Sequence, residues 1–170
     1  MGTMKAIVVA YGKNHEIGAD NDMPWHNSLK DDLKHFRELT TGSTVIVGRK
    51  TFDSFGGRPL PDRENIVVTR SNEEIDGVKV ARSLAEAYKL ASSRNIYVIG
   101  GGQIYSEAIK DMDILYATEV NAEFDNGTVF FPEIDSTIWR EVARVHQPAD
   151  ERNRYSFDLV KYERYENQRS

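Results

Sequence analysis

Five short, nearly unbroken apolar runs, separated by helical patterns, constrain this chain more than anything else in it. The first, Met4–Tyr11, has Lys5 as its one charge and is closed by Gly12. A run with no polar face suits a strand buried on both faces of a sheet. Comparable runs follow at 44–48, 65–69, 95–100 and 114–120. Between them, 28–40, 51–55, 83–91 with Ser83 as N-cap, and a segment opening near Gly102 carry helical patterns. Strands alternating with helices are joined by crossovers, and crossovers make neighbouring strands parallel. The period changes at the end of the chain: 139–147 and 155–165 alternate apolar and polar residues across a polar loop, as an antiparallel hairpin at a sheet edge does. The expected class is α/β, a single domain with a mixed, mainly parallel central sheet flanked by helices and a C-terminal antiparallel hairpin.

At 170 residues the chain has room for one domain, expected over 4–165, with 1–3 an appended or alternative start and 166–170 a polar tail. No apolar run approaches the roughly 18 residues that span a bilayer, and the N-terminus lacks the pattern of an export signal, so a cytoplasmic protein without a membrane partner is expected. The absence of cysteine removes disulfides, thiolate ligands and cysteine nucleophiles. Four scattered histidines without H-E-x-x-H spacing give no metal site, and no Gly-x-Ser-x-Gly elbow is present. A net charge of -5 argues against nucleic acid as a partner, so an anionic ligand needs a local basic patch.

Within 28–40, Leu29, Leu33, Phe36 and Leu39 mark one stripe of a helix. At about 100° per residue, Asp32 falls about 45° from the centre of that stripe and Asp31 about 145° away, so Asp32 turns inward and Asp31 toward water. A carboxylate among apolar neighbours loses solvation, which raises its pKa unless a cation or several donors hold the charge. The plainer role for such a residue is an acid favoured by the helix dipole. The preceding Ile17-Gly18-Ala19-Asp20-Asn21-Asp22-Met23-Pro24-Trp25-His26 weighs for the first role. Gly, Asn and Asp make a loop, Pro24 stiffens its exit, and Met23 and Trp25 set apolar side chains beside the acid as a water-excluding lid does. As isolated residues, those two read as core fillers.

Tyr97-Val98-Ile99-Gly100-Gly101-Gly102-Gln103-Ile104-Tyr105 puts three glycines between a buried strand and a helix start. Bare amides there approach a pyrophosphate closely; a tight turn with close strand–helix packing explains the glycines as well. The spacing is not G-x-G-x-x-G. Val45-Ile46-Val47-Gly48-Arg49-Lys50-Thr51 repeats the arrangement, as a second phosphate site or as an N-cap with two solvated charges. Arg70 follows the strand 65–69 and falls near the same edge of a parallel sheet, where several cations favour a 2'-phosphorylated dinucleotide, NADP over NAD. Arg58-Pro59-Leu60-Pro61-Asp62-Arg63 is either a rigid surface turn or a stiffened segment holding Arg63 ready to fork onto a carboxylate.

The ordered set Ile17-Gly18, Met23-Pro24-Trp25, Asp32-Leu33 with Phe36, Gly48-Arg49 with Thr51, Arg58-Pro59-Leu60-Pro61, and Ile99-Gly100-Gly101-Gly102 with Tyr105 resembles the dihydrofolate reductase family. The resemblance implies NADPH as cofactor, dihydrofolate as substrate, sensitivity to antifolate inhibitors, and a monomer. It implies that Asp32 binds the pterin, that Trp25 holds an ordered water, that Met23 lies in a mobile loop, and that Tyr105 lies near the nicotinamide. Val8, Ala10, Phe36, Phe55 and Leu60 resemble contacts to the pterin and benzoyl rings, Val9 and Leu33 further substrate contacts, Ile99 a contact shared by both ligands, Arg63 the partner of the glutamate carboxylate, and Thr118 a hydroxyl bonded to the acid. On the cofactor side, Ala10 and Ile17 resemble contacts to the nicotinamide amide. Gly100 to Gly102 and Thr51 resemble the pyrophosphate site, Arg49, Lys50 and Arg70 the adenosine phosphate end, and Gly48, Thr69, Gln103 and Ile104 further cofactor contacts.

Three positions depart from the common bacterial pattern: two extra residues between Trp25 and Asp32, Gly56-Gly57 before Arg58, and Thr128 after Asn126-Gly127. Two other classes share parts of the set. A pyrimidine reductase of riboflavin synthesis has the same fold and cofactor, and a noncatalytic dinucleotide-binding module needs the glycines and Arg49-Lys50-Thr51. Neither calls for Asp32 behind Met23-Pro24-Trp25.

Overall fold

The computed structural model describes residues 3–18, 29–71, 73–124 and 129–165. The strands are β1 (Met4–Tyr11), β2 (Glu16–Gly18), β3 (Thr44–Gly48), β4 (Glu64–Val68), β5 (Lys79–Ala81), β6 (Asn95–Val98), β7 (Ile114–Val120), β8 (Val129–Phe130), β9 (Trp139–Gln147) and β10 (Phe157–Arg164). The helices are α1 (Lys30–Thr40), α2 (Arg49–Ser54), α3 (Leu84–Leu90) and α4 (Gly102–Ala108), the last running into a 3₁₀ turn at Ile109–Asp111. Eight strands form one sheet in the order β5-β4-β3-β6-β1-β7-β10-β9, and β2 pairs with β8 in a two-stranded ribbon. All pairings from β5 to β7 are parallel, while β10 runs antiparallel to both β7 and β9. The mixed sheet and its terminal hairpin agree with the pattern of apolar runs.

The apolar strands are buried because each has a layer on both faces. Along β1, Ile7, Val9 and Tyr11 join one core with Tyr105, Met112 and Leu115, whereas Ala6 and Val8 join Val45, Tyr97, Leu60 and Ile99 on the other face. Complete burial of side chains such as Ile7, Ile46 and Leu115 stabilises the fold by about 1.5–3 kcal/mol each. The inserted position of β6, between β1 and β3, reverses the direction in which the sheet grows. The carboxyl ends of strands at such a reversal form a crevice.

Several boundaries differ from the periodicity. The 65–69 run is β4, displaced by one residue, and β6 stops at Val98, which leaves Ile99 to Gly101 outside regular structure. The α2 helix starts at Arg49 with Gly48 at its cap position, so Thr51 lies inside the helix rather than capping it. On α1 the stripe is not core: Leu33 is 40% exposed, and Leu29, fully buried, stands at the cap position outside the helix. Periodicity picks a face of a helix but not what covers it. Ser83 does cap α3, its side chain accepting from the Glu86 N–H at 3.1 Å. Ser83→Ala is expected to cost about 1 kcal/mol, a Tm lower by about 2–4 °C, measured by thermal unfolding at neutral pH. An unchanged Tm would remove the cap from the account.

Candidate active site

Asp32 sits in the first turn of α1 and reaches the sheet at Thr118, a buried residue of β7 whose Oγ1 donates to Asp32 Oδ1 at 2.6 Å. Thr118 pairs with Ala10 on β1 and with Leu159 on β10, so the carboxylate meets the sheet where parallel and antiparallel pairings join. Burial is the largest influence on Asp32 and lifts its pKa above the ordinary carboxylate range. The Thr118 hydroxyl and His35 pull the other way. Asp31, which helical phase turns toward water, is bonded to Asn153 at 2.8 Å and paired with Arg152 at 2.9 Å, and together these hold its pKa low. Helical phase separates the two acids correctly but carries no information about a partner so distant in the chain.

An apolar wall lies on the same face of the sheet as Val8. Leu60 and Ile99 pack with Val8, and Phe55 joins Ile99 through Val47, Phe52 and Val67. Val9 does not belong to it: strand alternation turns its side chain into the opposite core, so it can offer only backbone here. Phe36 and Leu39 are partly buried, and the Arg63 guanidinium lies 5.9 Å from the Phe36 ring centre. Arg63 is oriented by bonds to the Pro61 carbonyl at 2.8 Å and Thr40 Oγ1 at 3.0 Å. Asn65, absent from the motif reading, holds this segment. Its Oδ1 accepts from Leu60 N at 2.8 Å, and its Nδ2 donates to the carbonyls of Leu60 and Arg63 at 2.9 and 3.0 Å. The signal was available as a lone amide opening the apolar run Asn65-Ile66-Val67-Val68.

Two strand ends away, the glycine turn is packed too closely for side chains. A Cβ on Gly101 would stand 2.6 Å from Thr51 Oγ1, one on Gly102 would be 2.2 Å from Val129 Cγ1 and 3.7 Å from Ile17 Cδ1, and one on Gly48 would be 3.0 Å from Ile104 Cγ1. The Gly48 N–H donates to the Gly100 carbonyl at 2.8 Å, and Gly100 has φ +126°, where L residues rarely sit. The structure therefore gathers Ile17, Gly48, Thr51, Gly100 to Gly102 and Ile104 at one point of the sheet edge. Tyr105 is buried beneath it, its hydroxyl donating to the Val8 carbonyl at 2.8 Å, and burial pushes its pKa up. Gln103 is exposed.

The cations lie beyond this point. Arg49 and Arg70 follow the paired parallel strands β3 and β4, next to Lys50 and Thr69. Arg49 is bonded to Asp53 at 3.1 Å and also to Glu73, so it is held rather than freely solvated. Lys50 and Arg70 are exposed. Met23, Pro24, Trp25 and the Asn126-Gly127-Thr128 departure lie outside the described residues.

A phenol-binding carboxylate lies on the sheet's other face, unrelated to any sequence motif: Glu119 accepts from Tyr11 and Tyr162 at 2.9 and 2.8 Å, and from Arg144 at 2.9 Å.

The acid–hydroxyl pair, apolar wall and close-packed glycine turn around β1 define a family, and comparison bears that out. The family model described as dihydrofolate reductase matches residues 4–164, and this chain belongs to that family. It is similar to the type 3 dihydrofolate reductase of Salmonella typhimurium, at 43% identity over 91% of this chain and 94% of that one. With the Bacillus subtilis dihydrofolate reductase it shares 40% identity over 95% of each chain. Among solved structures, the Enterococcus faecalis dihydrofolate reductase complexed with NADP(H) and RAB-propyl aligns with a TM-score of 0.87 and 38% identity, covering 96% of this chain and 97% of that one.

Proposed function

We propose that this chain reduces 7,8-dihydrofolate to tetrahydrofolate: NADPH supplies a hydride to C6 while N5 gains a proton. The observation that carries the reading is the juxtaposition on β1. One neighbouring strand, β7, fixes Asp32 through Thr118, and the other, β6, runs directly into the glycine turn. A substrate ring bound by the acid therefore lies across β1 from a dinucleotide held at the glycines. A noncatalytic dinucleotide-binding module has no use for the Asp32–Thr118 pair.

The residues present suit the dinucleotide. Bare backbone at Gly100 to Gly102 and the Thr51 hydroxyl suit the pyrophosphate, with Gly48 and Ile104 closing the turn. Arg49, Lys50 and Arg70 suit the adenosine 2'-phosphate, and Ala10, Ile17 and Tyr105 the nicotinamide end. On the substrate side, Asp32 binds the pterin amino group and ring nitrogen, the Val8, Phe55, Leu60 and Ile99 wall excludes water, and Arg63 receives the glutamate carboxylate. Asp32 then favours protonation of N5 by water rather than delivering the proton itself. The same carboxylate is where a diaminopyrimidine-type antifolate binds in this reading. No helix among the described residues is long and apolar enough to cross a membrane, and a cytoplasmic monomer is the setting we infer.

NADPH oxidation followed at 340 nm with and without dihydrofolate tests the reaction. A folded, NADPH-binding chain without dihydrofolate-dependent turnover would end this reading. Arg70→Ser is expected to raise KM for NADPH tenfold or more while leaving KM for NADH near its wild-type value, since only the first carries the phosphate that a guanidinium forks. Equal effects on both cofactors would remove Arg70 from the phosphate site.

A further inference from the structure

Among the described residues, the helix that carries Asp32 has no side-chain cap of its own. Leu29 stands at the cap position and provides no side-chain acceptor. The first N–H groups of a helix must nevertheless find partners. On α1 they find them in the loop between β9 and β10: the Arg152 carbonyl accepts from Lys30 N at 3.2 Å, and Asn153 Oδ1 accepts from Asp31 N at 3.1 Å. Asn153 has no exposed surface, and the rest of its amide is also engaged, Nδ2 donating to Asp31 Oδ2 at 2.8 Å and to Asp150 Oδ1 at 3.0 Å. A β-bridge between Leu29 and Asn153 and the Arg152–Asp31 pair complete the clamp.

A serine or aspartate at the cap position would satisfy the same N–H locally. It would not fix the helix relative to the sheet. The clamp does, because Asn153 leads into β10, and β10 pairs Leu159 with Thr118, the residue that holds Asp32. Both attachments of the first turn of α1 therefore trace to the β7–β10 strand pair, with Asp32 one residue from the clamp and bonded to Thr118.

We infer that Asn153, acting through Asp31, is a positioning residue for the reduction: it fixes where α1 begins and hence how deeply Asp32 is set against Thr118. The inference rests on the proposed reaction. Asp32 is faced by the Thr118 hydroxyl from β7 and by His35 from its own helix, while Asp31, Arg152 and Asp150 are the charged groups of the adjoining clamp. Releasing the clamp lets water reach Asp32 and weakens its hold on the pterin.

The test uses the full chain with Asn153→Ala, Asp31→Ala and Asp31→Asn, in steady state and in single-turnover hydride transfer across pH. Asn153→Ala and Asp31→Ala are expected to lower kcat/KM for dihydrofolate tenfold or more, with KM for NADPH within twofold of wild type. The midpoint of the pH–rate profile is expected to move to lower pH by half a unit or more. Asp31→Asn keeps an oxygen for the Asn153 amide and is expected to restore both readouts. A role confined to stability lowers Tm but leaves the midpoint and the ratio of the two KM values unmoved, and that result overturns the inference. If Asn153→Ala does not fold, the two Asp31 variants decide it. Wild-type protein that turns over dihydrofolate beside variants with unmoved midpoints sinks the positioning role alone, whereas wild-type protein with no such turnover sinks the reaction itself.

Discussion

Asp32→Asn is expected to leave a folded protein that binds NADPH but has lost about 10²- to 10⁴-fold of its dihydrofolate turnover at pH 7, with the defect shrinking as pH falls. Asparagine keeps an oxygen for the Thr118 hydroxyl, so the 2.6 Å contact and the start of α1 survive. What disappears is the negative charge that favours a protonated pterin. At acidic pH solvent protonates more of the substrate unaided, and the variant gains on the wild type. A defect of constant size from pH 5 to pH 8 would contradict this role.

The same substitution should stabilise the fold, and the sign follows from the direction of the Asp32 shift. Burial, opposed by Thr118 and His35, raises the folded-state pKa above that of the unfolded chain. The stability contributed by this group is therefore complete below the unfolded pKa and is lost as pH rises through the folded one. Asparagine does not titrate. At pH 7 the variant's Tm should exceed the wild type's, and the difference should narrow toward about pH 3, below the ordinary range of an aspartate. Gaining stability while losing activity is what a binding carboxylate kept in a partly dry place predicts.

Gly100→Ala is expected to weaken NADPH at least tenfold and to lower Tm together. The residue holds φ +126°, and a Cβ there would meet the Tyr105 hydroxyl at 3.3 Å. Strain of this kind costs about 1–3 kcal/mol, and each kcal/mol lowers Tm by about 2–4 °C in a domain of this size. The affinity falls in addition because the Gly100 carbonyl, which accepts from Gly48 N, keeps the two turns of the cofactor edge in register. Gly42 provides the comparison: its φ is +80° with no atom within 4 Å of a Cβ. Gly42→Ala should lose stability with NADPH affinity intact, as read by quenching of protein fluorescence. Equal losses of affinity in the two variants would show that the glycine turn matters to the fold alone.

The sheet was legible because its strands are buried on both faces and so read as continuous apolar runs. The three strands that were not legible, β2, β5 and β8, have three, three and two residues, too few to show a period, and exist through their tertiary partners. Asp32 was distinguishable from Asp31 because helical phase is a local property. The clamp was not, since Asp31 and Asn153 are 122 residues apart and neither has a local pattern that names the other. Three successive glycines pointed to the cofactor edge, but the contacts that require them, Thr51 and Val129, come from distant segments. Val8 and Val9 are neighbours in the sequence, yet a pleated strand sends them to opposite sides, which a linear motif does not show.

A helix of eleven residues is marginal by itself in water, and the cap that secures α1 comes from the loop before the sheet's last strand. During synthesis, at about 5–20 residues per second, roughly 6–24 s pass between the addition of Asp31 and that of Asn153. Over that interval the nascent chain can pair β1, β3, β4, β6 and β7 and offer Thr118 to Asp32, but the first N–H groups of α1 lack their Arg152 and Asn153 acceptors. Securing the start of α1 therefore waits until the loop between β9 and β10 has been made. A ribosome-stalled chain ending short of Asn153 should hold a partly paired sheet with the start of α1 unsecured.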